Sequence, residues 1–214
     1  MCSSDLCTFV FIMKKVKHPR LGEVVFERIS NYVPVENQDK VEHCLVNSSN
    51  FPWYYAHTTV VEVPEALKKF DDIPYLSHMM IEEGNLRSEY FHRLSEEIKI
   101  PELIKEYKLS GEVIRSQANL FLKRDKKINP CPHIDFKNVR HLVVLYYVND
   151  CDGDTIFYNL SDMDDHCLDE MSVWRREAPK KGDILIFDGR IFHSPSCPVG
   201  STSRSTINYD FLIK

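Results

Sequence analysis

After Gly111 the chain becomes a succession of short β-forming runs, "GEVIRSQANLFLK", "RHLVVLYYVN", "GDTIFYN", "SVWRREAP", "GDILIFDG" and "STINYDFLI", separated by polar and glycine-containing turns. Six strands punctuated in this way fold as a β-sandwich or barrel, and that constrains the chain more than any other feature.

The first half reads differently. "GEVVFERISNYV", from Gly22, alternates well enough for a strand, and "VENQDKVEHCLVNSS" carries apolar residues at helical spacing. "VPEALKKF", "IPYLSHMMIEEG" and "NLRSEYFHRLSEEIKIPELIKEYKL" read as helices. In the last, Leu86, Tyr90, Leu94 and Ile98 lie four apart on one face, and Pro101 opens a further helix where its missing N–H costs little. Helices first and strands after predict helices packed on one sheet of the sandwich, with its interior free to hold a site. No repeat, low-complexity tract or linker divides the chain, so residues 1–214 read as a single domain, 1–110 a helix-rich support and 111–214 the β core.

Composition narrows the setting. A net charge of −5 gives no general pull toward phosphate backbones or acidic membranes, which disfavours a nucleic-acid partner. Seven cysteines, an odd number without a tight C-x-x-C pair, do not form a secreted disulfide framework, and the apolar run LCTFVFIM is too short to span a membrane. A cytoplasmic protein is expected. "MKKVKHPRLGEVVFERISNYV" reads as a natural start at Met13, so residues 1–12 are expected to be an extension, an extra edge strand or a mis-set start codon, and dispensable.

Chemistry concentrates at "CPHIDF". In an extended segment residues i and i+2 share a face, so His133 and Asp135 project side by side, as a pair that can hold a metal. A third ligand must come from elsewhere, and His193, after "KKGDILIFDGRIF", stands at a strand end in a polar setting. Two imidazoles and one carboxylate make the facial triad that leaves positions open on Fe(II); zinc with three protein ligands also suits such a set. Arg204 follows His193 by eleven residues, on a strand returning beside the histidine. A buried guanidinium near a metal asks for an anionic, carboxylate-bearing ligand.

The set "HID" at 133–135, His193 and Arg204, framed by "LVVLYYVNDCDGDTIFY" and "KKGDILIFDGRIFHS", resembles the Fe(II)- and 2-oxoglutarate-dependent oxygenases, especially the prolyl 4-hydroxylase-like branch and its small bacterial and phage versions. H-x-D alone would be weak, but the full set in this order and spacing is specific. The resemblance covers residues 111–212. It implies a mainly β fold with N-terminal helices, a double-stranded β-helix of the jelly-roll or cupin-like kind. It implies iron held by His133, Asp135 and His193, and 2-oxoglutarate as co-substrate with its distal carboxylate on Arg204. It further implies a dioxygenase that uses O2, with ascorbate as an accessory reductant, to hydroxylate an unidentified prime substrate. By the same resemblance a tyrosine in "VVLYYV" assists the co-substrate; alternation turns only one inward, and Tyr146 is the expected one over Tyr147. Asn119 and Asn208 are further co-substrate candidates. Where family members carry a Gly-Gly-Glu-Thr turn, this chain has "DGDT": Gly153 and Thr155 match, and Asp152 replaces the first glycine.

Other motifs have plainer readings. His141 is expected to be a satisfied histidine at a strand start, and Cys131, two residues from His133, raises a C-x-H zinc site that its vulnerability to oxidation disfavours. "NDCDGDT" reads as a hairpin turn, "SDMDDHCLDE" as a solvated loop with a gating alternative, and "FPWYYAHTT" as core or edge aromatics with a substrate-wall alternative. "KRDKK" at 123–127 reads as a solvated loop that could also attract an acidic substrate. A peptidyl proline or other protein side chain is the first substrate class by resemblance; a small metabolite or alkylated nucleobase stays open. The reading from a different class is a non-catalytic metal- or ligand-binding jelly-roll.

Overall fold

The computed structural model describes residues 13–59, 63–71, 73–109, 111–128, 130–162 and 164–213; residues 1–12, where an extension was expected, lie outside them. The described chain is a jelly-roll: a large and a small antiparallel sheet with helices on the outer face of the large one. The large sheet runs β1 (Lys15–His18), β2 (Gly22–Ile29), β10 (Ile184–Asp188), β7 (His141–Tyr147), β12 (Ser203–Leu212), β6 (Val113–Leu122), β4 (Tyr75–Glu82) and β3 (Tyr54–Ala56), with the short β5 (Asn85–Leu86) beside β4. The small sheet is β11 (Ile191–Pro195), β8 (Thr155–Ser161) and β9 (Val173–Glu177).

Every residue of β7 is buried. It lies between β10 and β12 and is covered on both faces, which explains why "HLVVLYY" lacks the alternation of a half-solvated strand. Its Val144 and Tyr146 join Ile184, Ile186, Ile207 and Tyr209 in a core under the helices α1 (Val35–Glu42), α2 (Tyr90–Ile98) and α3 (Ile100–Tyr107), which contribute Val41, Leu94, Ile98, Leu103 and Tyr107. Lys99, in the left-handed conformation (φ 67°), separates α2 from α3, and Pro101 sits in the first turn of α3 as expected. Val143, Leu145 and Tyr147 face the other way, against Phe157 of the small sheet and Phe187.

Three sequence expectations are corrected. "IPYLSHMMIEEG" forms strand β4 and not a helix: Leu76, Met79 and Met80 satisfy helical spacing, but β6 offers a partner strand along its length, and pairing overrides the local pattern. "VPEALKKF" keeps only a 3₁₀ turn at Glu65–Leu67. Leu86, assigned to the face of α2, precedes that helix in β5 and is exposed. His193, expected at a strand end, lies within the short strand β11, which its pairing with β8 holds extended. No helix among the described residues is long and apolar enough to cross a membrane.

Candidate functional site

Between the two sheets lies a cavity of about 280 Å³ whose wall includes His133, Asp135, His193, Arg204, Asn119 and Asn208. The strands deliver these groups by alternation. On β12, Arg204, Thr206 and Asn208 face inward, and the register sets them opposite Phe121, Asn119 and Gln117 of β6, which face inward too.

His133 is not within a regular strand. It forms an isolated antiparallel bridge with His193, each backbone N–H donating to the other's carbonyl at 2.9 Å, and this brings the imidazoles to a centroid separation of 4.8 Å. Asp135 reaches both rings, with Oδ1 3.7 Å from His133 Nε2 and Oδ2 3.6 Å from His193 Nε2. One potential ligand atom from each of the three lies within 4.8 Å of the other two. His193 Nδ1 donates to the Ile191 carbonyl at 3.0 Å, which directs Nε2 at the cavity, and Phe187 packs edge-on against the ring.

Electrostatics prepares the group to bind a cation. Burial lowers the His133 pKa and pulls that of His193 down to about 4, so both imidazoles are neutral near pH 7. Burial alone would raise the Asp135 pKa, but Arg115 and then the two histidines outweigh it and hold the carboxyl well below the usual range. Oδ2 of Asp135 is buried without a hydrogen-bond partner. A carboxylate oxygen left in that condition is costly unless something else satisfies it. Two neutral imidazoles around it fit a divalent transition metal such as Fe(II). The Cys131 thiol is buried in an apolar cluster with Leu67 and Tyr158 and belongs to no candidate ligand group among the described residues.

Arg204 is 3% exposed, and among the described residues no carboxylate lies within ion-pair distance of it. Its Nε donates to the Gly153 carbonyl at 3.0 Å and its Nη2 to Thr155 Oγ1 at 2.8 Å. A buried guanidinium whose described hydrogen-bond partners are both neutral can take an anion. Gly153 is required by close approach: a Cβ there would sit 2.4 Å from the Ser196 carbonyl and 3.2 Å from Arg204 Cδ. Asp152, the departure in "DGDT", accepts from the backbone N–H groups of Val199, Gly200 and Ser201 at 3.1, 2.9 and 3.0 Å, tying the turn to the loop that leads into β12.

The expectation for Tyr146 is corrected. Alternation along β7 is as anticipated but in the opposite phase: Tyr146 points into the core under the helices, where its hydroxyl has no hydrogen-bond partner among the described residues, and Tyr147 faces the sandwich interior. The Tyr147 hydroxyl shares Thr155 Oγ1 with Arg204, at 2.8 Å. His141 is half-satisfied, with Nδ1 on the Val139 carbonyl at 2.8 Å and Nε2 buried without a partner near Asp135 and Asp210. Of the aromatics at 51–59, Tyr54 and Tyr55 are exposed and Phe51 is core, while Thr59 reaches the cavity wall.

Sequence reasoning missed Arg115 and Asp210, which back Asp135, and Gln117 and Thr206 in the wall. The signal was available. Arg115, Gln117 and Asn119 on β6, and Arg204, Thr206, Asn208 and Asp210 on β12, are polar at every second position of strands whose other face is largely apolar.

No family model matches this chain, and no curated protein matches it by sequence. Solved structures do. A prolyl-4-hydroxylase from Pseudomonas putida superposes with a TM-score of 0.56 at 13% identity, covering 88% of this chain and 92% of that one. A prolyl hydroxylase from Trichoplax adhaerens, in complex with a hypoxia inducible factor oxygen degradation domain peptide fragment, gives 0.54 at 16% identity over 87% and 83%. The epimerase SnoN, in complex with Fe3+, alpha ketoglutarate and nogalamycin RO, gives 0.56 at 12% identity over 87% and 78%. This chain therefore shares the fold of the 2-oxoglutarate–Fe(II) oxygenases, prolyl 4-hydroxylases included.

Proposed function

We propose that this protein is an Fe(II)- and 2-oxoglutarate-dependent dioxygenase that hydroxylates a C–H bond of a prime substrate. One observation carries the reading: a single cavity joins Asp135 Oδ2, between two neutral imidazoles, to the buried Arg204, and among the described residues the oxygen has no hydrogen-bond partner and the arginine no carboxylate partner. A protein that only bound a metal would have no use for the arginine, and one that only bound an anion would have none for the triad.

His133, Asp135 and His193 would hold the iron through Nε2, one carboxylate oxygen and Nε2. When bound, iron with O2 supplies the oxidation that couples decarboxylation of 2-oxoglutarate, to succinate and CO2, to insertion of oxygen into a substrate C–H bond. The chain's own residues bind and orient. Arg204 pairs with the distal carboxylate of 2-oxoglutarate, held in place by the Gly153 carbonyl and Thr155, with the Tyr147 hydroxyl behind Thr155. Asn119 and Asn208 line the wall between clamp and triad and offer amide groups to the co-substrate. Leu145 and Phe187 keep that wall dry, which strengthens each charge interaction inside it.

The cavity, at about 280 Å³, is near the lower end for ligand pockets, so beside the co-substrate it has room for a side chain or a small molecule. A peptidyl proline or other protein side chain is the first substrate class on this reading. The test is succinate release from 2-oxoglutarate under air with added Fe(II), with and without ascorbate, followed by a search of peptide and metabolite pools for a mass gain of one oxygen. Iron-dependent succinate release that disappears in His193→Ala is expected. No succinate from iron-loaded protein with any pool would overturn the proposal in favour of a binding jelly-roll.

A further inference from the structure

Asp135 is gripped from behind. Arg115, on β6, contacts Asp135 Oδ1 through one terminal nitrogen and donates from Nε to Asp210 Oδ2 at 2.6 Å. The side chains of Asp135 and Asp210 are 1% and 0% exposed. Arg115 and Asp210 are directly paired residues of β6 and β12, two interior strands of the large sheet, so their relative position is set by backbone hydrogen bonds and not by a mobile loop. The ring of Phe136, next in the chain to Asp135, lies 5.4 Å from the guanidinium carbon and closes a further side of it.

A guanidinium fork can take both oxygens of one carboxylate, the geometry that maximises the strength of a buried ion pair. Here it divides between two carboxylates. Among the described residues Asp135 Oδ2 has no hydrogen-bond partner and lies 3.6 Å from His193 Nε2, while its Oδ1 is occupied.

We infer that Arg115 is a positioning residue for the metal site: by occupying Oδ1 it confines Asp135 to a single ligating oxygen and fixes the direction in which that oxygen points. This rests on the dioxygenase reading above and deepens it. A carboxylate free to turn could ligate through both oxygens and take a coordination position that a chelating co-substrate needs. Asp210 contributes at one remove, since it anchors the guanidinium from the far side. The arrangement would also be met in a purely structural ion network, and the two cases differ in what the metal reports.

The experiment is titration of Co(II) and Mn(II) into metal-free protein for wild type, Arg115→Met, Arg115→Lys and His193→Ala. The Co(II) absorption spectrum is recorded before and after 2-oxoglutarate, and melting of the metal-free forms is measured in parallel. Arg115→Met is expected to weaken metal binding by about 10- to 100-fold, the range typical of partners that orient a ligand. It should also alter the Co(II) spectrum and weaken 2-oxoglutarate binding at saturating metal, although Arg204 is untouched. Arg115→Lys restores the charge but cannot bridge two carboxylates, so it should recover part of the affinity and not the spectrum. If Arg115→Met does not fold, Arg115→Lys and the double variant Arg115→Met/Asp210→Asn, which removes the second carboxyl group held by the arginine along with the arginine, give the same readouts. Unchanged affinity and spectrum in the folded Arg115 variants, with only the melting temperature lowered, would overturn the inference. Failure of wild type to bind either ion, or equal binding by His193→Ala, would instead overturn the dioxygenase reading itself.

Discussion

The two faces of β12 show how one strand serves two purposes. Toward the helices it presents Ile207, Tyr209 and Phe211, all buried in the apolar core. Toward the cavity it presents Arg204, Thr206, Asn208 and Asp210, also buried or nearly so but polar throughout. Burial is similar on both sides; what differs is whether buried groups are satisfied within the protein. The helix face gains from dispersion and from water excluded, and it needs no partner beyond the fold. The cavity face pays a desolvation cost that its own hydrogen bonds only partly recover, as the unpartnered oxygens of Asp135 and Asp210 show. On the proposed function, a ligand completes that polar surface.

Substitutions on the two faces should therefore separate binding from stability. The largest effect is expected for Asp135→Ala and His193→Ala: Mn(II) binding and succinate release fall to background while cooperative melting persists, because the two proposed ligands line a cavity. Wild-type metal affinity in both would break the comparison at its centre. Arg204→Ala should come next, costing about 2–5 kcal/mol in 2-oxoglutarate affinity with the metal site preserved, and Arg204→Lys less, because it keeps the charge and loses the fork. Anaerobic titration of 2-oxoglutarate into the Mn(II)-loaded protein measures both. On the helix face, Ile207→Ala should destabilise the protein by about 2–5 kcal/mol through the cavity it leaves, with 2-oxoglutarate affinity unchanged. Chemical denaturation and the same titration test the two halves of that statement, and a loss of ligand affinity as large as the loss of stability would show the faces to be coupled. The smallest effect sharpens the comparison within adjacent residues. Tyr147→Phe removes the hydroxyl on Thr155 and should cost about 1 kcal/mol of 2-oxoglutarate affinity, whereas Tyr146→Phe removes a hydroxyl with no partner and should leave affinity as it is.

Much of this was legible in the chain. The β-rich second half and the helices ahead of it follow from local pattern, and His133, Asp135, His193 and Arg204, put forward by spacing together with the family resemblance, line one cavity. What failed did so for identifiable reasons. The segment 73–84 carries apolar residues that suit a helix or a strand, and only the presence of β6 beside it decides for β4. The phase of β7 could not be read because it is apolar on both faces, so nothing local distinguishes Tyr146 from Tyr147.

By itself the sequence determined the alternation of β6 and β12, with arginine, amide, hydroxyl and carboxylate groups on one side, because side-chain direction in a strand is a property of the backbone and needs no partner. Tertiary structure alone decided which polar groups meet. Arg115 lies 20 residues before Asp135 and 95 before Asp210, and no local rule relates the three. They come together because the register of β6 on β12 sets Arg115 opposite Asp210, and the bridge between His133 and His193 carries Asp135 down onto them. Register is a choice among whole-strand pairings, made by the burial of every residue on both faces at once. That is why the chain could put forward the candidate ligands while the residue proposed to aim one of them came into view only in the fold.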